Sequence, residues 1–200
     1  MIYVVQFVSD HKNVAAALLI LLMAAESAPL VGFFIPGVLL LPALGAITGT
    51  ENWPFWTVYA YAVAGAVLGD GLGYWLGLTG RAMQSHWLHK RHYLLAIKIA
   101  EDLVEQRGVL ALFFGRFAWF IHPMVPLAAG LLGIRPRLFF IVDSVTISLW
   151  VWVYMSLGRA AVGAWLGENI YVIGIISLVV VVIVTIVTIR KGRTYLHRWR

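Results

Sequence analysis

Between Phe113 and Ile134 the chain reads FFGRFAWFIHPMVPLAAGLLGI, apolar enough for lipid yet carrying an arginine, a histidine, two prolines and three glycines. A simple spanning helix has no use for that set. Pro123 and Pro126 each remove a backbone donor and crowd the preceding turn, so no straight helix crosses them comfortably. A guanidinium at membrane depth is costly and by default marks a functional site. The segment, about 109–134, reads as a helix–break–helix hairpin that dips into the bilayer and returns, with Arg116 and His122 near its bend.

Composition supports a bilayer setting. The 200 residues are 62% hydrophobic and 12% charged, and a soluble domain of this size carries about twice that charged share. We read one integral membrane domain over 1–200. The net charge of +6 sits in two blocks beside apolar segments, as cytoplasmic loops require, and is no nucleic-acid signal. With no cysteine, disulfides, thiolate chemistry and Cys-based metal sites are excluded. Trp53, Trp56, Trp87, Tyr93 and Tyr171 fall at expected water–lipid boundaries.

The opening 25 residues, with Asp10-His11-Lys12 and then an apolar run from Val14 to Ala25, bear some likeness to a secretory signal. The retained reading is an interfacial helix followed by a helix entering the membrane. From Lys12 to Glu26 is about 20 Å of helix, which carries Glu26 past the midplane of a ~30 Å hydrocarbon core. Residues 27–49 then repeat the anomaly, broken by Pro29, Pro36, Pro42 and four glycines. Phe34-Ile35-Pro36 resembles Phe120-Ile121-His122-Pro123, and Pro42-Ala43-Leu44-Gly45 resembles Pro126-Leu127-Ala128-Ala129-Gly130. Corresponding broken segments in two halves of a membrane protein point to a transporter's binding site.

Phe55–Leu78 reads as a spanning helix whose glycines let neighbours approach closely, with Asp70 in its second half. The local Gly69-Asp70-Gly71-Leu72-Gly73 is no nucleotide loop, because the third glycine of that fingerprint is missing and no strand precedes it. Residues 80–108 form a basic amphipathic segment on the cytoplasmic face. Leu138–Leu157 and Ile170–Ile189 are two further spans, before a basic tail at 190–200. Both basic blocks belong on the cytoplasmic side. Two spans after residue 134 return the chain to the side it left, so the segment at 109–134 must begin and end on that side. Charge parity and proline therefore require the same hairpin.

Glu26-Ser-Ala-Pro-Leu-Val-Gly-Phe-Phe-Ile-Pro-Gly37, Gly69-Asp70 with Gly73-Tyr74, and Phe114-Gly115-Arg116-Phe117 with Pro123-x-x-Pro126-x-x-x-Gly130 together resemble the DedA family. Its domain is also called the SNARE-associated or VTT domain. The resemblance spans roughly residues 20–165. It implies an all-α polytopic membrane protein with two opposed re-entrant hairpins, at about 27–49 and 109–134, packed with spanning helices like an inverted repeat. It also implies lipid translocation. Bacterial members are implicated in returning undecaprenyl phosphate across the inner membrane and in proton-linked homeostasis, and eukaryotic relatives are phospholipid scramblases. By the same resemblance Glu26 matches the family's first acid and Arg116 its first arginine. Val38 stands where many members carry an acid, and His122 stands in place of a second arginine. These two departures lie in opposite hairpins and look compensatory.

The residues themselves allow a functional and a plainer reading. Arg116 offers a planar fork suited to a phosphate and stays charged when desolvated; otherwise it forms a structural pair with Glu26 or Asp70. Glu26 can carry a proton, since burial disfavours its charged form, or it caps the broken helix that follows. His122 can bind phosphate when protonated, or bonds a carbonyl freed by Pro126. Asp70 is a second candidate acid, with a packing or hinge role as the alternative. Pro36, Pro42, Pro123 and Pro126 are the expected hairpin breaks. His86, His89 and His92 recur at helical spacing without a carboxylate, so a solvated face outweighs a metal site.

The expected function is translocation of a phosphate-bearing membrane lipid, which the resemblance implies is undecaprenyl phosphate. Arg116 and His122 would bind the substrate, and Glu26 with Asp70 would handle protons or the ion pair. No cofactor, metal, catalytic residue or nucleic-acid partner is expected, and a homo-oligomer is compatible. The site of action is the bacterial inner membrane, crossed several times with the C-terminus cytoplasmic. A proton-coupled small-ion transporter and the membrane module of a lipid-phosphate phosphatase are the alternatives.

Overall fold

A computed structural model describes residues 12–29, 31–32, 34–35, 37–48, 53–83, 101–102, 104–105, 108, 110–117 and 122–165, with positions 175 and 179. Pro36, the first 11 residues, most of the 80–108 segment with its three histidines, nearly all of Ile170–Ile189 and the tail lie outside the described residues. Among the described residues all regular structure is helical: α1 (Lys12–Ser27), α2 (Gly37–Ile47), α3 (Phe55–Met83), α4 (Leu110–Phe117), α5 (Met124–Leu131) and α6 (Pro136–Trp165).

Two helices are long and four are short. With 29 and 30 residues, α3 and α6 extend about 44 Å, more than the ~30 Å hydrocarbon core. Pro54 precedes α3 and Pro136 opens α6, where a missing N–H costs nothing. Among the described residues, the segment Pro136–Gly163 is the one helix both long and apolar enough to cross a membrane. By contrast α2 reaches about 16 Å, and α4 and α5 about 12 Å each.

The prolines act differently from one another. Pro123 caps α5 at φ −70°, so the helix begins immediately after it. Pro126 was expected to break the helix too, but it occupies the first turn of α5, where its N–H would have no partner anyway. Pro42 was also expected as a break and instead lies inside α2, which continues through it to Ile47. The end of α5 is sharply defined. Gly133 adopts φ 73°, its N–H bonds Gly130 O at 3.0 Å, and Ile134 N–H bonds Ala129 O at 3.0 Å, the paired bonds of a left-handed helix cap.

Packing groups the helices in threes. α1 and α5 lie on α3, α2 and α4 lie on α6, and α3 packs against α6. Two reciprocal glycine contacts hold the short helices down. A Cβ at Gly130 would strike the Tyr74 carbonyl and one at Gly77 the Leu127 carbonyl, which fixes α5 to α3. Likewise a Cβ at Gly45 would strike the Met155 backbone and one at Gly158 the Pro42 backbone, which fixes α2 to α6. Such contact without side chains is how helices pack in lipid, where no hydrophobic gain drives them together.

The distribution of polarity is inverted relative to a water-soluble domain. Leu21, Phe34, Leu39, Trp56 and Ile141 face outward, each at least 64% exposed, while Glu26, Asp70, Arg116, His122 and Asp143 are at most 5% exposed. Buried charge survives only when paired. The interior therefore has to be read as a site.

Candidate functional site

Arg116 lies in the last turn of α4, and its guanidinium gathers partners from three other helices. Nη1 donates to Asp70 Oδ2 of α3, and Nη2 donates to Ser27 Oγ of α1 at 3.0 Å. Asp143 Oδ1 of α6 lies 3.9 Å from the same Nη1. Ser27 Oγ in turn donates to Glu26 Oε2 at 3.1 Å. His122, at the turn before α5, places Nε2 3.3 Å from Glu26 Oε1. That is ion-pairing distance, without the alignment of a hydrogen bond. A polar chain thus runs from His122 through Glu26, Ser27 and Arg116 to the two aspartates.

Small residues let the charges meet. Gly69, beside Asp70, has the Ala24 carbonyl and the Ser27 Cβ against it, so any side chain there would push α1 away from α3. Gly37 opens α2 directly against the Glu26 carboxylate and the Trp150 ring. Trp150, 1% exposed, forms the wall of the site: the Arg116 Cζ lies 4.9 Å from its ring centroid, within cation–π range, and the His122 ring lies 6.1 Å away.

The structure brings together all four ionisable residues expected from the sequence, Glu26, Asp70, Arg116 and His122. It also changes their order of importance. Asp70, weighed equally as a packing residue, is the direct partner of Arg116, whereas Glu26 is reached through Ser27. The carbonyl four residues before Pro126 is His122's own, and it accepts from Val125 N–H at 3.2 Å. Val38 is half-buried on α2. Sequence reasoning missed Asp143 and Ser27. Asp143 was nonetheless visible as the lone acid inside an apolar span, the signal that had marked Asp70.

Chemically, the site is a desolvated guanidinium held by exchangeable partners. Arg116 Nε is buried with no hydrogen-bond partner, so an incoming anion has a donor available before any existing bond breaks. Three carboxyls surround one guanidinium and one imidazole. Among the described residues no group of three or more histidines, cysteines and acids is arranged to hold a metal ion.

A chain that among its described residues is helical, turns leucine and tryptophan outward and seals Glu26, Asp70 and Asp143 within is a membrane protein. Residues 35–160 match the model of the VTT domain, more than half of the chain, and the chain belongs to this family, the DedA family. It is 26% identical over 144 residues to the inner membrane protein YabI of Escherichia coli, covering 72% of this chain and 57% of YabI. It is 32% identical over 146 residues to the E. coli inner membrane protein YghB, covering 68% of this chain and 62% of YghB. An uncharacterized membrane protein of Buchnera aphidicola is 26% identical over 153 residues, 76% of this chain and 59% of that protein. The chain thus spans about three fifths of the length of these relatives. No solved structure matches it.

Proposed function

We propose that this protein translocates a phosphate-bearing lipid across the bacterial inner membrane, with undecaprenyl phosphate the best-fitting substrate. The observation that carries the reading is Arg116: a guanidinium 5% exposed, held by Asp70 and Ser27 and open at Nε. A lipid phosphate competes for this fork bidentately, as carboxylates do. Arg116 and His122 grip the headgroup, and Glu26 exchanges its partners as the phosphate arrives.

The proposed path lies between two re-entrant hairpins related as an inverted repeat. The shortness of α2, α4 and α5 supports this, since none spans ~30 Å. So does the packing, in which α2 lies on α6 as α5 lies on α3. The polytopic arrangement has the C-terminus cytoplasmic, and the reaction is transport without bond cleavage. A second reading, proton-coupled transport of a small ion, draws support from the buried Asp70 and Asp143.

The test is transport of a labelled prenyl phosphate in reconstituted vesicles. Wild-type protein should move the lipid between leaflets, and Arg116→Ala and Glu26→Gln should not. Release of inorganic phosphate that depends on Arg116 would turn the reading toward an enzyme. Equal rates in wild type and Arg116→Ala would end it.

A further inference from the structure

Asp143 has no part in the lipid-phosphate scheme above, and its surroundings are unusual. It is 3% exposed. Its nearest cation, Arg116 Nη1, lies 3.9 Å away, beyond hydrogen-bond reach, and that nitrogen already bonds Asp70. The Asp70 and Asp143 carboxyls thus flank the same guanidinium nitrogen, and Asp70 Oδ1 and Asp143 Oδ2 are both buried without a donor. Two ionised carboxylates are acceptors only, and two like charges sharing a dry site do not both persist. A single proton between them supplies the missing donor and removes the repulsion.

The charge count agrees. Glu26, Asp70 and Asp143 face Arg116 and His122, so even with His122 protonated the cluster carries one carboxylate too many. Glu26 has Ser27 and His122 against it, and Asp70 has Arg116. Asp143 is the carboxyl left over. The helices packed on α6 are α2, α3 and α4; α3 contributes Asp70, α4 contributes Arg116, and α2 has no titratable residue.

We infer that Asp70 and Asp143 form a proton-binding site, in which one proton carried by Asp143 bonds it to Asp70 and leaves Asp70 the anion facing Arg116. The site has a consequence that rests on the lipid-phosphate reading. When a phosphate takes the guanidinium, Asp70 loses its counter-charge and accepts a proton from water. Binding of one anionic headgroup then brings one proton into the pair, and release returns it.

Infrared spectroscopy of the ligand-free protein tests the site independently of any lipid. At neutral pH the wild type should show the C=O band of a protonated carboxylic acid, shifted in D2O. Asp143→Asn, whose amide donates the same bond, should abolish that band, and Glu26→Gln should retain it. A wild type without the band, or a band that survives Asp143→Asn, overturns the inference. Should Asp143→Asn fail to fold, carboxyl carbon NMR of wild-type protein labelled at its four aspartates decides: one resonance must stay at the protonated position at neutral pH, and four ionised signals refute the site. Failure of prenyl phosphate to bind would end the transport reading and leave the band in place. Binding without proton uptake would end only the coupling.

Discussion

Arg116 and Asp70, 46 residues apart in sequence, close a salt bridge inside the protein with side chains only 4% and 0% exposed. Each ion is tolerable there because of the other. Removing one partner strands a buried charge, at a cost of about 3–5 kcal/mol, whereas replacing both with apolar residues is often close to neutral. Arg116→Met should therefore destabilise strongly by stranding Asp70, and adding Asp70→Leu should recover much of the loss. Thermal unfolding in detergent, followed by tryptophan fluorescence, checks this; simple additivity of the two substitutions would contradict the pairing.

Ser27 connects the two halves of the polar chain, accepting from Arg116 and donating to Glu26. Hydrogen bonds to charged groups contribute about 1.5–3 kcal/mol. Ser27→Ala should cost about that much stability and slow prenyl phosphate transport, since Arg116 and Glu26 would no longer be linked. Unchanged transport in vesicles would show that the two charges act independently.

The glycine contacts make a purely steric prediction. At Gly130 and Gly158 an added methyl meets backbone of the facing helix, so Gly130→Ala and Gly158→Ala should each cost about 1–3 kcal/mol, as overpacking does. At Gly71 the added methyl meets only the edge of Phe140 at 3.3 Å. Gly71→Ala should be neutral, or stabilise by up to about 1 kcal/mol through helix propensity. The melting temperatures of the three variants, measured side by side, decide the ranking.

Tyr74 stacks on Phe139 with centroids 4.3 Å apart, and its hydroxyl donates to the Ile134 carbonyl just past the cap of α5. Tyr74→Phe removes only the hydrogen bond and should cost about 0.5–1.5 kcal/mol. Tyr74→Ala also opens a cavity and should cost about 3–5 kcal/mol. A small gap between the two melting temperatures would argue against the stack.

Much of this was legible in the sequence, for identifiable reasons. Arg116 and Glu26 stood out because ionised groups within apolar runs are rare. Asp70 was one of the two partners offered for Arg116, but the choice between it and Glu26 was not legible, because which acid Arg116 meets depends on how closely α1, α3 and α6 approach, and that is set by glycines on facing helices. Pro42 and Pro126 misled because a proline's effect depends on its position within the turn. Asp143 was overlooked for want of a motif around it, although the rule that singled out Asp70 applied equally.

The grouping of helices in threes gives the salt bridge a mechanical meaning. Glu26, Ser27 and Asp70 belong to α1 and α3, and His122 leads into α5, whereas Arg116 and Asp143 belong to α4 and α6. The bonds of Arg116 to Asp70 and Ser27 therefore cross the seam between the two triplets and act as its latch. Parting the seam would therefore break both bonds of the guanidinium at once, to Asp70 and to Ser27.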